Sequence, residues 1–259
     1  MFIKNLAAVL TKQKNILSLY DLKIDKIPKG YVVVKMEYSG ICHTQLNEIN
    51  GILGKDKFIP HCMGHEGVGK IVTKGKGVEN FQIGDKVVVS WIKKQTKKNY
   101  KSIKYYHNNK TINSSGCNTL LKYSLVSENR IYKLSKKNKY FKESILLGCA
   151  LPTATSAILE NSNINRNSNV LIMGMGGLGY SCLFALNYLK CKNIVCIDNN
   201  YKRLNLIKKS KNINYIKINE KNIGKFLDKN FEKFDVILDC TGSKRLIEQT
   251  FPLCKKLKG

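Results

Sequence analysis

The chain has 259 residues, 43% of them hydrophobic, with 45 Lys and Arg against 18 Asp and Glu and a formal net charge of +27. That is chain enough for one large or two medium domains, and the apolar content excludes wholesale disorder. Nine cysteines, odd in number and irregular in spacing, exclude a disulfide-stapled scaffold and point to a reducing compartment.

The opening stretch Met1–Leu10 has neither a long apolar run nor a small-residue cleavage site, so no signal peptide is expected. No apolar run anywhere approaches the ~20 residues of a membrane span, and the expectation is a soluble, cytoplasmic protein without a membrane partner. Strands are predicted at Tyr31–Tyr38, Val68–Thr73, Lys86–Trp91 and Leu121–Val126, all rich in β-branched and aromatic residues and separated by Gly- and Asn-containing turns. Strands without helical periods between them imply an antiparallel barrel or sandwich. Residues 93–110 hold seven Lys and no acid, and a solvated loop is predicted there, with His107 in solvent.

After Lys142 the pattern changes. Strands at Val170–Met173, Asn193–Asp198, Asn214–Ile218 and Phe234–Asp239 alternate with helical stretches at Ser181–Leu189, Tyr201–Lys209, Asn222–Asn230 and Ser243–Lys255. Alternation of this kind means βαβ units and a parallel sheet. The expected organisation is two domains, a β-rich one over 1–150 and an α/β one over 151–259.

The charge is spread along both halves, +17 over residues 1–150 and +10 over 151–259. Of the basic residues 41 are Lys, and the only Arg are Arg130, Arg166, Arg203 and Arg245, whereas phosphate and base readers lean on the bidentate Arg fork. The excess therefore reads as a compositional bias, and no specific nucleic-acid partner is expected.

Gly174-Met-Gly176-Gly177-Leu178-Gly179 fits G-x-G-x-x-G between a predicted strand and a predicted helix. In that pattern the first Gly permits a tight turn, the second lets backbone approach a pyrophosphate, and the third lets helix pack on strand. Asp198 follows 19 residues after Gly179 at a strand end, where a carboxylate can accept both adenosine ribose hydroxyls. It would repel a ribose phosphate, so NAD is expected rather than NADP, although Arg203 nearby keeps NADP open.

Upstream lie Ser39-Gly-Ile-Cys42-His43-Thr44 and Gly64-His65-Glu66, with Gly69 and Gly75 following, then Gly84-Asp85 and Gly148-Cys149 with Thr153. In this order these motifs resemble the zinc-dependent medium-chain alcohol dehydrogenases, from about Val32 to the end. The resemblance implies an α/β two-domain fold, with an N-terminal β-rich, GroES-like catalytic domain and a doubly wound parallel-sheet dinucleotide-binding domain. It implies Cys42, His65 and Cys149 as ligands of one catalytic zinc, with Glu66 able to approach the metal when the fourth ligand exchanges. Three protein ligands leave one tetrahedral position open, and Cys2His is the set the enzyme class uses. It also implies Thr44 as the hydroxyl that takes the alcohol proton, His43 near the cofactor pyrophosphate, Thr153 near the nicotinamide, and Leu178 behind its ring or ribose.

The implied reaction is hydride transfer between an alcohol or polyol and NAD, giving an aldehyde or ketone. Three features depart from the family. Lys93–Ser115 carries no cysteine, so no structural zinc is expected. Gln45 and Asn47 stand where an acid and a relay His are common. The parallel sheet stops after its fourth strand, short of the strands that form the family's dimer edge, which leaves a homo-oligomer open. Two other readings remain open: an NAD- and zinc-binding remnant with impaired turnover, and a Lys-rich polyanion-binding protein. Cys62 and His61 fall outside the motif's ligand positions. Cys182, Cys191, Cys196, Cys240 and Cys254 read as small buried hydrophobes.

Overall fold

A computed structural model describes residues 4–160, 163–207, 213–217 and 223–255. The chain divides into two compact units, Met1–Cys149 and Ala150–Gly259.

The first unit is built from β1 (Asn5–Leu10), β2 (Ser18–Leu22), β3 (Tyr31–Ser39), the helix α1 (His43–Ile49), β4 (His61–Cys62), β5 (Glu66–Lys74), β6 (Lys86–Ser90), β7 (Lys104–His107), β8 (Lys110–Asn113), β9 (Tyr123–Ser127) and β10 (Ile131–Lys133). They form two five-stranded sheets, ordered β2-β1-β4-β8-β7 and β10-β6-β5-β3-β9. Every pairing in the second sheet is antiparallel. Alternation sets the two faces of β3: Val33 joins the core with Ala7, Val9, Leu22 and Tyr105, while Val32 and Val34 join the core with Ile71, Val87, Val89 and Ile131. Gly69 sits where β5 crosses closest to β3, and a Cβ there would stand 2.2 Å from the Lys35 carbonyl oxygen.

The predicted strands of this half lie within or beside β3, β5, β6 and β9, and the predicted extension of β6 to Trp91 ends at Ser90. The solvated loop predicted over 93–110 is corrected. Its second half enters the β7–β8 hairpin, Ile103 is buried, and Tyr105 is fully buried with its hydroxyl accepting from the Leu125 N–H at 3.0 Å. His107 is not a free solvated ring either. It stacks on Tyr20 at 4.2 Å between ring centroids, and its Nδ1 lies 3.0 Å from the Asp21 carbonyl oxygen.

The second unit runs α2 (Ala150–Leu159), β11 (Asn169–Met173), α3 (Gly177–Tyr188), β12 (Asn193–Asp198), α4 (Tyr201–Leu204), β13 (Ile213–Lys217), α5 (Ile223–Asn230), β14 (Val236–Asp239) and α6 (Lys244–Thr250). Among the described residues the sheet has four parallel strands in the order β13-β12-β11-β14. This is the expected α/β alternation, with β11 central and buried on both faces. Val170 and Ile172 pack with Cys182 and Leu186 of α3, while Leu171 and Met173 pack with Leu227 of α5 and Leu246 of α6. Helix α2 is an addition to the predicted elements. The last predicted helix, Ser243–Lys255, is shorter, since α6 ends at Thr250 and a 3-10 turn follows at Phe251–Leu253. Lys208, Lys209, Ile218 and Asn222, at the edges of predicted elements, lie outside the described residues. Cys182, Cys191 and Cys196 are buried as expected, but Cys240 and Cys254 are half-buried.

Candidate metal centre and dinucleotide site

Three segments of the first unit bring Cys42, His65 and Cys149 together. Cys42 caps the N-terminus of α1, with its backbone N–H donating to Gln45 Oε1 at 2.9 Å. His65 precedes β5, in the turn made by Gly64. That glycine has φ +91°, and a Cβ on it would stand 2.5 Å from the Leu120 nitrogen. Cys149 closes the 3-10 turn Glu143–Gly148, which is tied to β6 by the Ser90 hydroxyl donating to the Gly148 carbonyl at 2.7 Å. One ligand-type atom from each of the three side chains lies within 4.8 Å of the others.

The electrostatics of this cluster ask for a cation. His65 Nε2 is buried and has no hydrogen-bond partner in the protein, although such atoms are nearly always paired. Burial holds the His65 pKa below the ordinary imidazole range, which keeps the ring neutral and its lone pair free. Burial, then the neighbouring Cys42 and Glu66, push the Cys149 thiol up to about 12. A thiolate there needs a positive charge beside it, and a metal supplies one. Two sulfurs, an imidazole nitrogen and room for a fourth ligand fit tetrahedral Zn²⁺.

Glu66 is buried and its carboxyl is raised by burial. Two glycines make its niche: a Cβ on Gly40 would stand 2.7 Å from Glu66 Cδ, and one on Gly148 would stand 2.8 Å from Glu66 Cβ. Thr44 is exposed at the start of α1, with its Oγ1 3.6 Å from Cys42 Sγ as acceptor. His43 is exposed beside it. Sequence reasoning missed Gln45 as the anchor of the Cys42 backbone and Trp91 as a hydrogen-bond partner of Cys149. The capping-box spacing of Cys42 and Gln45 is the signal that could have found the first.

In the second unit, the glycine motif turns from β11 into α3. Gly174 has φ +88°, and a Cβ on it would press on Thr241 Cγ2 at 2.8 Å. A Cβ on Gly179 would stand 1.9 Å from the Gly174 carbonyl oxygen, so helix and turn meet there backbone to backbone. Gly176 and Gly177 face open space, and Gly176 caps α3 with no side chain on the helix's free N–H groups. That leaves room and donors for an anion. Leu178 is exposed on the first turn of α3, and Thr153 is exposed on α2.

Asp198 ends β12 and is almost fully buried. Its Oδ2 accepts from the Met175 N–H and its Oδ1 from the Asn200 N–H, each at 2.7 Å, and Arg203 Nη1 lies 3.5 Å from Oδ2. The carboxylate thus braces the glycine turn from below.

Residues 28–136 match the alcohol dehydrogenase GroES-like domain family. The S-(hydroxymethyl)glutathione dehydrogenase of Synechocystis sp. is 25% identical over 230 residues, 80% of this chain and 62% of that protein. Its namesake from Haemophilus influenzae is 24% identical over 236 residues, covering 80% of this chain and 60% of that protein. Over residues 28–136 the chain is thus similar to the GroES-like domain of alcohol dehydrogenases. Two solved structures share the fold of this chain. An alcohol dehydrogenase zinc-binding domain protein from Burkholderia ambifaria matches 99% of this chain and 75% of its own, with TM-score 0.82 and 19% identity. Benzyl alcohol dehydrogenase from Acinetobacter calcoaceticus matches 97% of this chain and 75% of its own, with TM-score 0.77 and 24% identity. The chain spans about 60% of the length of the curated relatives it matches. Among the described residues, no helix is long and apolar enough to cross a membrane.

Proposed function

We propose that this chain carries the zinc and dinucleotide sites of an alcohol dehydrogenase, with Cys42, His65 and Cys149 holding the metal and the glycine turn at 174–179 holding NAD. The observation that carries the proposal is the buried, unpartnered His65 Nε2 beside two sulfurs that only a cation can bring together as thiolates. When bound, zinc supplies the Lewis acidity that eases deprotonation of an alcohol, and NAD takes up its hydride.

The protein groups have separable tasks. The exposed Thr44 hydroxyl beside Cys42 takes the alcohol proton and passes it outward. Glu66, kept in reach by Gly40 and Gly148, supports ligand exchange at the metal. His43, Thr153, Leu178 and the N–H groups of Gly176, Gly177 and Gly179 contact the dinucleotide.

Asp198 favours NAD over NADP, because a buried carboxylate under the turn disfavours a ribose phosphate. Its Arg203 neighbour tempers that preference without reversing it, since Arg203 is already paired to the carboxylate. The substrate class is a small alcohol or its carbonyl product, and a glutathione-linked hydroxymethyl group is the first compound to assay given the curated relatives. All nine cysteines are free, which agrees with a reducing compartment such as the cytoplasm.

The test is metal analysis of the full chain together with NADH formation on primary, secondary and polyol substrates and S-(hydroxymethyl)glutathione. Stoichiometric zinc and turnover, both lost in Cys42→Ser, support the proposal. Bound zinc and NAD with no turnover on any alcohol would replace it with the impaired-remnant reading. Folded protein that takes up no zinc would overturn the metal assignment.

A further inference from the structure

A second set of ligand-type side chains lies in the first unit, apart from the cysteine site. Glu48 on α1, Asp56 in the following loop and His61 on β4 place one ligand-type atom each within 4.8 Å of one another. His61 Nε2 stands 2.8 Å from Asp56 Oδ2 and 3.5 Å from Glu48 Oε1. Around a tetrahedral ion with bonds of ~2.1 Å, ligand atoms are expected ~3.4 Å apart, so both separations fall within small adjustments of a coordination sphere.

Bonds from outside the cluster orient the His61 ring and the Asp56 carboxylate. His61 Nδ1 lies 3.1 Å from the Cys62 carbonyl oxygen, an acceptor that keeps a ring proton on Nδ1. This is the backing commonly found behind metal-bound imidazoles. Nε2 faces two carboxylates, a position that calls for a positive charge there, either a second ring proton or a metal ion. Asp56 Oδ1 is held by the Phe58 N–H at 2.7 Å, leaving Oδ2 to face His61. Gln13 ties the loop itself, accepting from the Asp56 N–H at 3.2 Å and donating to the carbonyls of Glu48 at 3.2 Å and Gly54 at 2.9 Å. His61 and Asp56 are both 8% exposed, so solvent screens little of the charge. Among the described residues, the only cationic side chain paired with these carboxylates is His61 itself.

We propose that Glu48, Asp56 and His61 form a second metal site, for a borderline divalent cation such as Zn²⁺ or Co²⁺, distinct from the cysteine site. Two carboxylate oxygens and one imidazole nitrogen suit that class, and no thiolate is present to favour softer ions. The metal count then rises from the single ion expected from sequence to two.

The experiment titrates the chelator-stripped full chain with Co²⁺, read by absorbance and calorimetry. Two equivalents are expected, one with a thiolate-to-cobalt charge-transfer band and one without it. His61→Gln should remove the band-free equivalent and leave the charge-transfer band intact. Should that buried substitution prevent folding, Glu48→Gln at a half-exposed position decides, and should weaken the band-free equivalent by about tenfold or more. Cys42→Ser should do the converse, so failure of the cysteine site and failure of this site have different signatures. A single equivalent that carries the charge-transfer band in the unsubstituted protein, or a band-free equivalent unchanged in both variants, overturns the proposal and leaves His61 as an imidazolium in an ion pair.

Discussion

Glu66 shows how single residues build the candidate metal centre. Its side chain lies between two glycines, Gly40 against the carboxyl and Gly148 against Cβ, that leave no space for a methyl group, so Gly148→Ala should cost about 1–3 kcal/mol by overpacking. Chemical denaturation of the first unit's transition measures that cost, and an unchanged midpoint would contradict the packing argument. Protonation at the neighbouring ligands sets the pH dependence. With the Cys149 thiol pushed up to about 12, that group is protonated in the metal-free protein at every physiological pH, and metal binding must release its proton. Zinc affinity should therefore rise by about tenfold per pH unit between pH 6 and 9 from this group alone. Burial lowers the His65 pKa, so it adds less steepness in that window than an ordinary imidazole would. A competition titration against a chelator checks the slope, and a flat profile would remove Cys149 from the ligand set. At this scale the sequence motifs made the cluster legible, because Cys42, His65-Glu66 and Cys149, whose side chains the fold gathers, sit in a recognisable order. The glycine at 40 and the amide of Gln45 were not legible, since their roles depend on which chain segment passes across them.

Among the elements, the β7–β8 hairpin and the glycine turn differ in how far local sequence foretold them. The turn was readable because strand, glycines and helix are contiguous. Its tightest point yields a prediction: Gly179→Ala forces a methyl onto the Gly174 carbonyl and should abolish the proposed binding of NAD by the full chain, as followed by calorimetry. Retention of full affinity would show that the turn is not the cofactor cradle. The hairpin was hidden. Its strands are four residues each, and Lys104 and Lys110 advertise solvent, while the buried residues Ile103, Tyr105 and Ile112 are spaced across a turn. Non-local pairing of β8 with β4, which in turn pairs with the unforeseen strand Asn5–Leu10, gives these short strands their place in the first sheet. Tyr105→Phe would leave the buried Leu125 N–H without its acceptor and should destabilise the unit by about 1–3 kcal/mol in denaturant unfolding. A neutral effect would mean that the hydroxyl carries no structural bond.

For the whole molecule, length and charge acquire separate meanings. The two compact units divide between Cys149 and Ala150, and Cys42, His65 and Cys149 all belong to the first of them. The positive charge is spread over both, with small ion pairs such as Lys133–Asp85 and Lys98–Glu128 using only part of it. Among the described residues the parallel sheet has four strands, and the chain spans 62% of one curated relative. The function proposed above rests on the cluster of Cys42, His65 and Cys149 holding a metal. X-ray absorption at the zinc edge of the full chain, loaded with one equivalent of zinc, tests that most directly. The account predicts two sulfur neighbours at about 2.3 Å and an imidazole nitrogen at about 2.0–2.1 Å, with both sulfurs reduced to one in Cys42→Ser. A first equivalent with no sulfur in its shell would contradict it.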